Sequence, residues 1–179
     1  MLNGENKTFQ NRREYSRVNA YIPLEFRLVS PQERDKVRSR ISGETVLSEF
    51  EPLPDTRDES LHESLKILHA KLDTIIRMMT SQHEGFYSLP FRLINISGSG
   101  MTFSSEKPFS EGDVLEIKMV FSKFRPVALY VYGEVVKVER QADEYNTAVR
   151  FILLDDLIRD EIIGFVFERE REILREKRG

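Results

Sequence analysis

The 179-residue sequence contains no cysteine, so disulfide staples, thiolate nucleophiles and the usual thiolate zinc sites are excluded, and redox chemistry dictates no compartment. An excess of positive charge is also missing. The 27 Lys+Arg face 30 Asp+Glu for a net charge of −3, which supplies no broad field to attract a nucleic-acid polymer. Any phosphate recognition must come from a local cluster of arginines. Long apolar runs are absent too: the opening stretch, MLNGENKTFQNRREYSR, is polar throughout, so the expectation is a cytoplasmic protein with no secretory signal and no membrane insertion. Enzyme signatures fail to appear: there is no Walker or Rossmann glycine loop, no HExxH and no GxSxG. The acidic neighbours Asp143-Glu144 and Asp155-Asp156 stand at a turn and at a helix start, where such pairs solvate or cap. No catalytic residue, cofactor or metal site is expected.

What is present divides into two textures. A length of 179 residues suits one domain, yet 32% charged against 40% hydrophobic is polar for one compact core and implies that part of the chain is exposed helix. Between Val18 and Val29 the residues Ile22, Leu24, Phe26 and Leu28 alternate with Pro23, Glu25 and Arg27, the period of a half-buried strand. The texture returns after Gly85. Phe91 and Leu93 alternate into Asn95, Leu115 to Phe121 alternates again, Val127 to Val138 is rich in Val and Tyr, and Tyr145, Thr147, Val149 and Phe151 alternate in turn. Turn signals at Ser97-Gly98-Ser99-Gly100, Pro108 to Asp113, Arg125-Pro126 and Ala142-Asp143-Glu144 separate them. Short strands so spaced predict a mainly β fold, an antiparallel barrel or sandwich.

The interval Ser30 to Gly85 is different. Leu61, Leu65, Leu68, Leu72, Ile75 and Met79 follow one another at spacings of 4, 3, 4, 3 and 4, a heptad stripe with Leu65 at position a. Asp58 or Ser60 can cap its start and Gly85 can end it. Such a helix spans roughly 40 Å, longer than a small barrel is wide, so it should project. The 3.5-residue repeat favours self-association, and Leu at a with Leu and Ile at d, widened by Ile76 at e, leans towards a trimer or tetramer. The alternative is a helix lying on its own domain. His62, His69 and His83 share one e flank, too far apart for two to chelate one ion within a chain, and read as solvated edge residues. A second helix is predicted from Asp155 to Arg178, with Ile158, Ile162, Phe165 and Val166 covering one barrel end. Its charged part, Glu168 to Arg178, reads as a solvated extension.

Two polar motifs remain. Arg12, Arg13 and Arg17 crowd three guanidiniums into six residues just before the first strand, and Asn95-Ile96-Ser97-Gly98-Ser99-Gly100 follows the second. A guanidinium grips phosphate oxygens or the O6/N7 edge of guanine bidentately and stacks on a base. A small amide, a hydroxyl and glycines let backbone approach a planar ligand.

In this order and on this strand pattern the motifs resemble the PilZ domain, a family of bacterial receptors for the second messenger cyclic di-GMP. Arg13 and Arg17 match its Arg-x-x-x-Arg; Asn95, Ser97 and Gly100 match its Asp/Asn-x-Ser-x-x-Gly. The resemblance continues through Glu111-Gly112-Asp113, Gly133-Glu134-Val135-Val136 and Ala148-Val149-Arg150-Phe151. It covers about residues 11–29 and 86–167, with 30–85 as a helical oligomerisation insert and 168–179 as a charged extension, all within a single domain. What it implies is a six-stranded antiparallel barrel with a long inserted heptad helix and a C-terminal helix. It also implies a non-catalytic cyclic di-GMP receptor in which Arg13 and Arg17, helped by Arg12, hold phosphate and guanine, Asn95 and Ser97 bond a guanine edge, and Gly100 lets the backbone pass beneath. The arginine segment is expected to be a leader that closes over the ligand, while the helix over 58–84 holds a homo-oligomer. The alternative is a PilZ-like protein interaction module that binds no nucleotide.

Overall fold

The computed structural model describes residues 16–43, 58–121 and 126–177. In chain order its elements are β1 (Arg17–Leu28), a 3₁₀ turn (Arg34–Lys36), β2 (Arg40–Ile41), α1 (Glu59–His83), a second 3₁₀ turn (Phe86–Ser88), β3 (Phe91–Ser97), β4 (Gly100–Ser105), β5 (Val114–Phe121), β6 (Val127–Gln141), β7 (Glu144–Ile152) and α2 (Asp156–Glu176). The strands pair in the order β2-β6-β5-β1-β3-β4-β7, and a further β6–β7 pairing closes the sheet. Six strands therefore make an antiparallel barrel, as expected. The seventh, β2, is an addition: Arg40 and Ile41 pair with Tyr130 and Leu129 on β6.

β1 belongs to both sides of the closure. Residues 17–23 pair with β3 and residues 24–28 with β5. Pro23, which has no N–H to donate, stands at the change of partner, where the ladder tolerates it best. Alternation sends Val18, Ala20, Ile22 and Leu24 inward, to meet Ile94, Ile96, Met101, Phe103, Leu115, Ile117, Met119, Leu129, Val131 and Val149 in one buried cluster. Each of the larger side chains contributes about 1.5–3 kcal/mol through burial.

One reading of the strands needs correction. Phe91 and Leu93 alternate, but on the solvent face, at 57% and 67% exposure; Ile94 and Ile96 are the inward residues. Along β6, the segment rich in Val and Tyr, the burial is continuous from Ala128 to Gly133, because its outer face is covered as well. Phe86, Leu89, Ala128 and Tyr130 form a small second core there, backed by Val120.

The helices start and stop as their sequences indicate. Asp58 accepts a hydrogen bond from the Leu61 N–H at 3.0 Å, and Gly85 ends α1 at φ 83°, in the left-handed region that glycine tolerates. Asp155 accepts from Ile158 N–H at 2.9 Å to open α2. Ile158, Ile162 and Val166 enter the barrel core, and Phe165 stacks on Phe121 at 4.2 Å, closing one end. By contrast α1 has no buried residue. It is held at its C-terminal end, where the Glu84 carboxylate accepts from Arg40 at 2.9 Å and from Ser42 Oγ at 2.5 Å. There the Lys118 ammonium donates to the Glu84 carbonyl at 3.1 Å, and the Arg40 guanidinium lies over the Tyr130 ring at 3.9 Å.

Candidate ligand-binding face

Strand register brings the two sequence motifs together. Arg17 stands directly opposite Ser97, and Asn19 opposite Asn95, across the β1–β3 ladder. Directly paired residues point to the same side of a sheet, and since Val18 and Ala20 point inward, Arg17 and Asn19 face outward with Asn95 and Ser97. The ladder continues: Ser97 is opposite Gly100 across the β3–β4 turn, and Gly100 is opposite Arg150 on β7. Arg17, Ser97, Gly100 and Arg150 thus form one row on the outside of the barrel, with Asn19, Asn95, Thr102 and Ala148 in the row beside it.

Each member is fixed locally. Ser97 is 1% exposed. Its hydroxyl donates to the Gly100 carbonyl at 3.2 Å and accepts from the Ser99 N–H at 3.4 Å, so it both ties the turn and shapes the floor of the face. Asn95 Nδ2 donates to Asn19 Oδ1 at 2.8 Å, a side-chain pair that orients both amides across the strands. Gly100 is demanded by close approach: a Cβ there would meet the Val149 carbonyl oxygen at 2.3 Å, while the Phe151 N–H donates to the Ser99 carbonyl at 2.9 Å and draws the turn onto β7. The β3–β4 turn thus lies directly on the β7 backbone, with Ser99 Oγ 3.3 Å from Ser97 Oγ.

Three further residues of this neighbourhood are not among the predicted ligand residues. Asn19 is recognisable only once β1 is registered on β3. Arg150, on an exposed side chain, pairs with Glu134 at 2.7 Å. Arg169 of α2 points its Nε at the Asn19 carbonyl at 3.5 Å and pairs with Glu172 at 3.0 Å. Since Ser16 Oγ also donates to Glu170 at 3.0 Å, the charged part of α2 runs beside the start of β1.

Of the predicted ligand residues, Arg17, Asn95, Ser97 and Gly100 lie in this one region, while Arg12 and Arg13 fall outside the described residues. Arg17 is the first residue of β1, so it is held in the sheet and is not part of a segment ahead of it. The heptad residues lie apart from the face. Leu61, Leu68, Leu72, Ile75 and Met79 of α1 are 47–66% exposed, with Leu65 partly covered; Ile67 and Met78 add to the exposed apolar surface of the helix. Among the described residues no group of three or more His, Asp or Glu could hold a metal ion, and no helix is long and apolar enough to cross a membrane.

Comparison with known proteins adds a family and a fold. A family model described as the PilZ domain matches residues 70–168. No curated protein matches the sequence. Among solved structures, one matches at 14% identity with a TM-score of 0.57, over 90% of this chain and 92% of that one. It is described as a pathogenic protein from Xanthomonas campestris with a tetrameric PilZ domain self-assembled through a helical bundle. At that identity the likeness speaks for the fold.

Proposed function

The chain belongs to the PilZ domain family, whose model matches more than half of its length, and from that premise we propose a non-catalytic, cytoplasmic receptor for cyclic di-GMP that assembles as a homo-oligomer through α1. The observation that carries the ligand reading is the outward row of Arg17, Ser97 and Gly100 with the Asn19–Asn95 pair beside it. Cyclic di-GMP presents anionic phosphates together with guanine edges rich in donors and acceptors. A guanidinium answers the phosphate or the O6/N7 edge, the amides and the hydroxyl answer the base, and the bare backbone at Gly100 supplies a flat seat. Arg12 and Arg13, five and four residues before Arg17 in sequence, supply further cations to the same ligand. Closure of that arginine segment over the bound nucleotide is the step that changes the exposed surface.

The oligomer reading rests on α1. A 25-residue helix with no buried residue and an exposed leucine stripe leaves apolar area in water that a second copy can cover. The bundle-built tetramer described for the Xanthomonas campestris protein supports four chains over three. One observation favours a second reading: the family match begins at residue 70, so the arginines fall outside it, as they would in an interaction module of this family that binds no nucleotide. Titration calorimetry of the full chain with cyclic di-GMP decides between them. Heat saturating at micromolar ligand or below is expected, and absence of heat at millimolar ligand would leave the interaction module.

A further inference from the structure

The row described above does not stop at the motif residues. Beyond Gly100 it reaches Arg150, which the sequence places only in a later strand and gives no ligand role, and we propose that Arg150 is a specificity residue that takes the O6/N7 edge of a guanine seated beside Ser97 and Gly100. The inference rests on the cyclic di-GMP reading and assigns it a second side of the pocket. Along the row from β3 to β7 stand a hydroxyl at Ser97, no side chain at Gly100 and a guanidinium at Arg150. A purine seated there has Ser97 and Asn95 at one edge and Arg150 at the opposite edge. Arg17 lies three strand steps from Arg150, on the order of 14 Å between backbones at about 4.8 Å per step. The two guanidiniums therefore bracket one ligand and do not compete for the same atom. A planar fork of donors matches guanine O6 and N7, whereas adenine offers an amino donor in place of O6.

Arg150 is not idle in the absence of ligand. It donates to Glu134 Oε2 at 2.7 Å, with the two side chains 63% and 36% exposed. A pair so open to water is weak, so a guanine edge can replace the carboxylate. Glu134 then acts as a competitor for the guanidinium, which gives the two residues opposite expected effects on binding.

Calorimetry or fluorescence titration of full-length Arg150→Ala, Glu134→Gln and parent protein with cyclic di-GMP and cyclic di-AMP tests this. Arg150→Ala should lose about 10- to 100-fold in affinity for cyclic di-GMP, with a smaller change for cyclic di-AMP. Glu134→Gln should bind cyclic di-GMP as well as the parent or several-fold better. A merely structural role for the ion pair predicts that both variants weaken binding alike, and that result overturns the proposal. Equal losses for the two nucleotides in Arg150→Ala would make the residue a phosphate contact and overturn the base-edge assignment, as would no loss at all. If the parent itself fails to bind cyclic di-GMP, the receptor reading falls first and the assignment of Arg150 with it. A matched melting temperature for Arg150→Ala and parent separates lost contact from lost fold.

Discussion

The candidate ligand-binding face and the helical arm are built on different walls of one barrel, and they acquire their geometry in opposite ways. The face lies on β1, β3, β4 and β7, where backbone ladders place Arg17, Asn19, Asn95, Ser97, Gly100 and Arg150 within a single chain. The arm is rooted on β2, β5 and β6 through Arg40, Ser42, Lys118 and Glu84, and among the described residues its apolar stripe has no buried member. A site made by register is complete in one molecule. The proposed partner of the stripe is a second copy of the chain, so the two regions should respond independently to mutation.

The sharpest way to break that independence is at the arm. Leu65→Asp with Leu72→Asp places charge on the stripe, and the expected outcome in sedimentation is a fall from an oligomer to the 21.0 kDa chain, with ligand affinity per chain unchanged. If parent and variant both sediment as monomers, the stripe has no homotypic partner. The complementary change is Arg17→Ala on the face. It should weaken cyclic di-GMP by about 2–5 kcal/mol, the cost of removing a desolvated charged contact, while the mass stays that of the parent. Smaller again is Gly100→Ala, whose Cβ must displace the Val149 carbonyl from 2.3 Å; a loss of about 1–3 kcal/mol in chemical denaturation is expected, together with weakened binding. The mildest test is Glu84→Gln. It keeps the size of the side chain but removes the charge shared by Arg40 and Ser42, and about 0.5–1.5 kcal/mol of stability should go with it, leaving ligand affinity intact.

The sequence makes local structure legible and leaves pairing hidden. Strand periods, the Asp58 and Asp155 caps, the Gly85 stop and the heptad stripe all depend on neighbours within a few residues, and all are found in place. β4 is short and rich in Ser and Thr, and β2 has two residues, so neither carries a period to read. The outward phase of Phe91 and Leu93 and the double coverage of β6 arise from which elements pack on which face, a tertiary fact. The site shows the same division. Asn95, Ser97 and Gly100 announce themselves by spacing, but Asn19 and Arg150 join them only through ladders between segments 76 and 50 residues apart (95 − 19 and 150 − 100). Arg17 was expected ahead of the sheet and is its first residue.

The insertion of α1 between β1 and β3 has a consequence in time. Arg17 and Ser97 are 80 residues apart (97 − 17) yet directly paired, so the first strand waits for most of the chain before it finds its partners. Closing so long a loop costs entropy before any contact repays it, and non-local β pairing is slow for that reason. A helix needs only its own neighbours and relaxes on about the microsecond scale. The arm can therefore become helical while β1 is still unpaired. For the proposed receptor, this order would put assembly through the arm ahead of completion of the nucleotide-binding face.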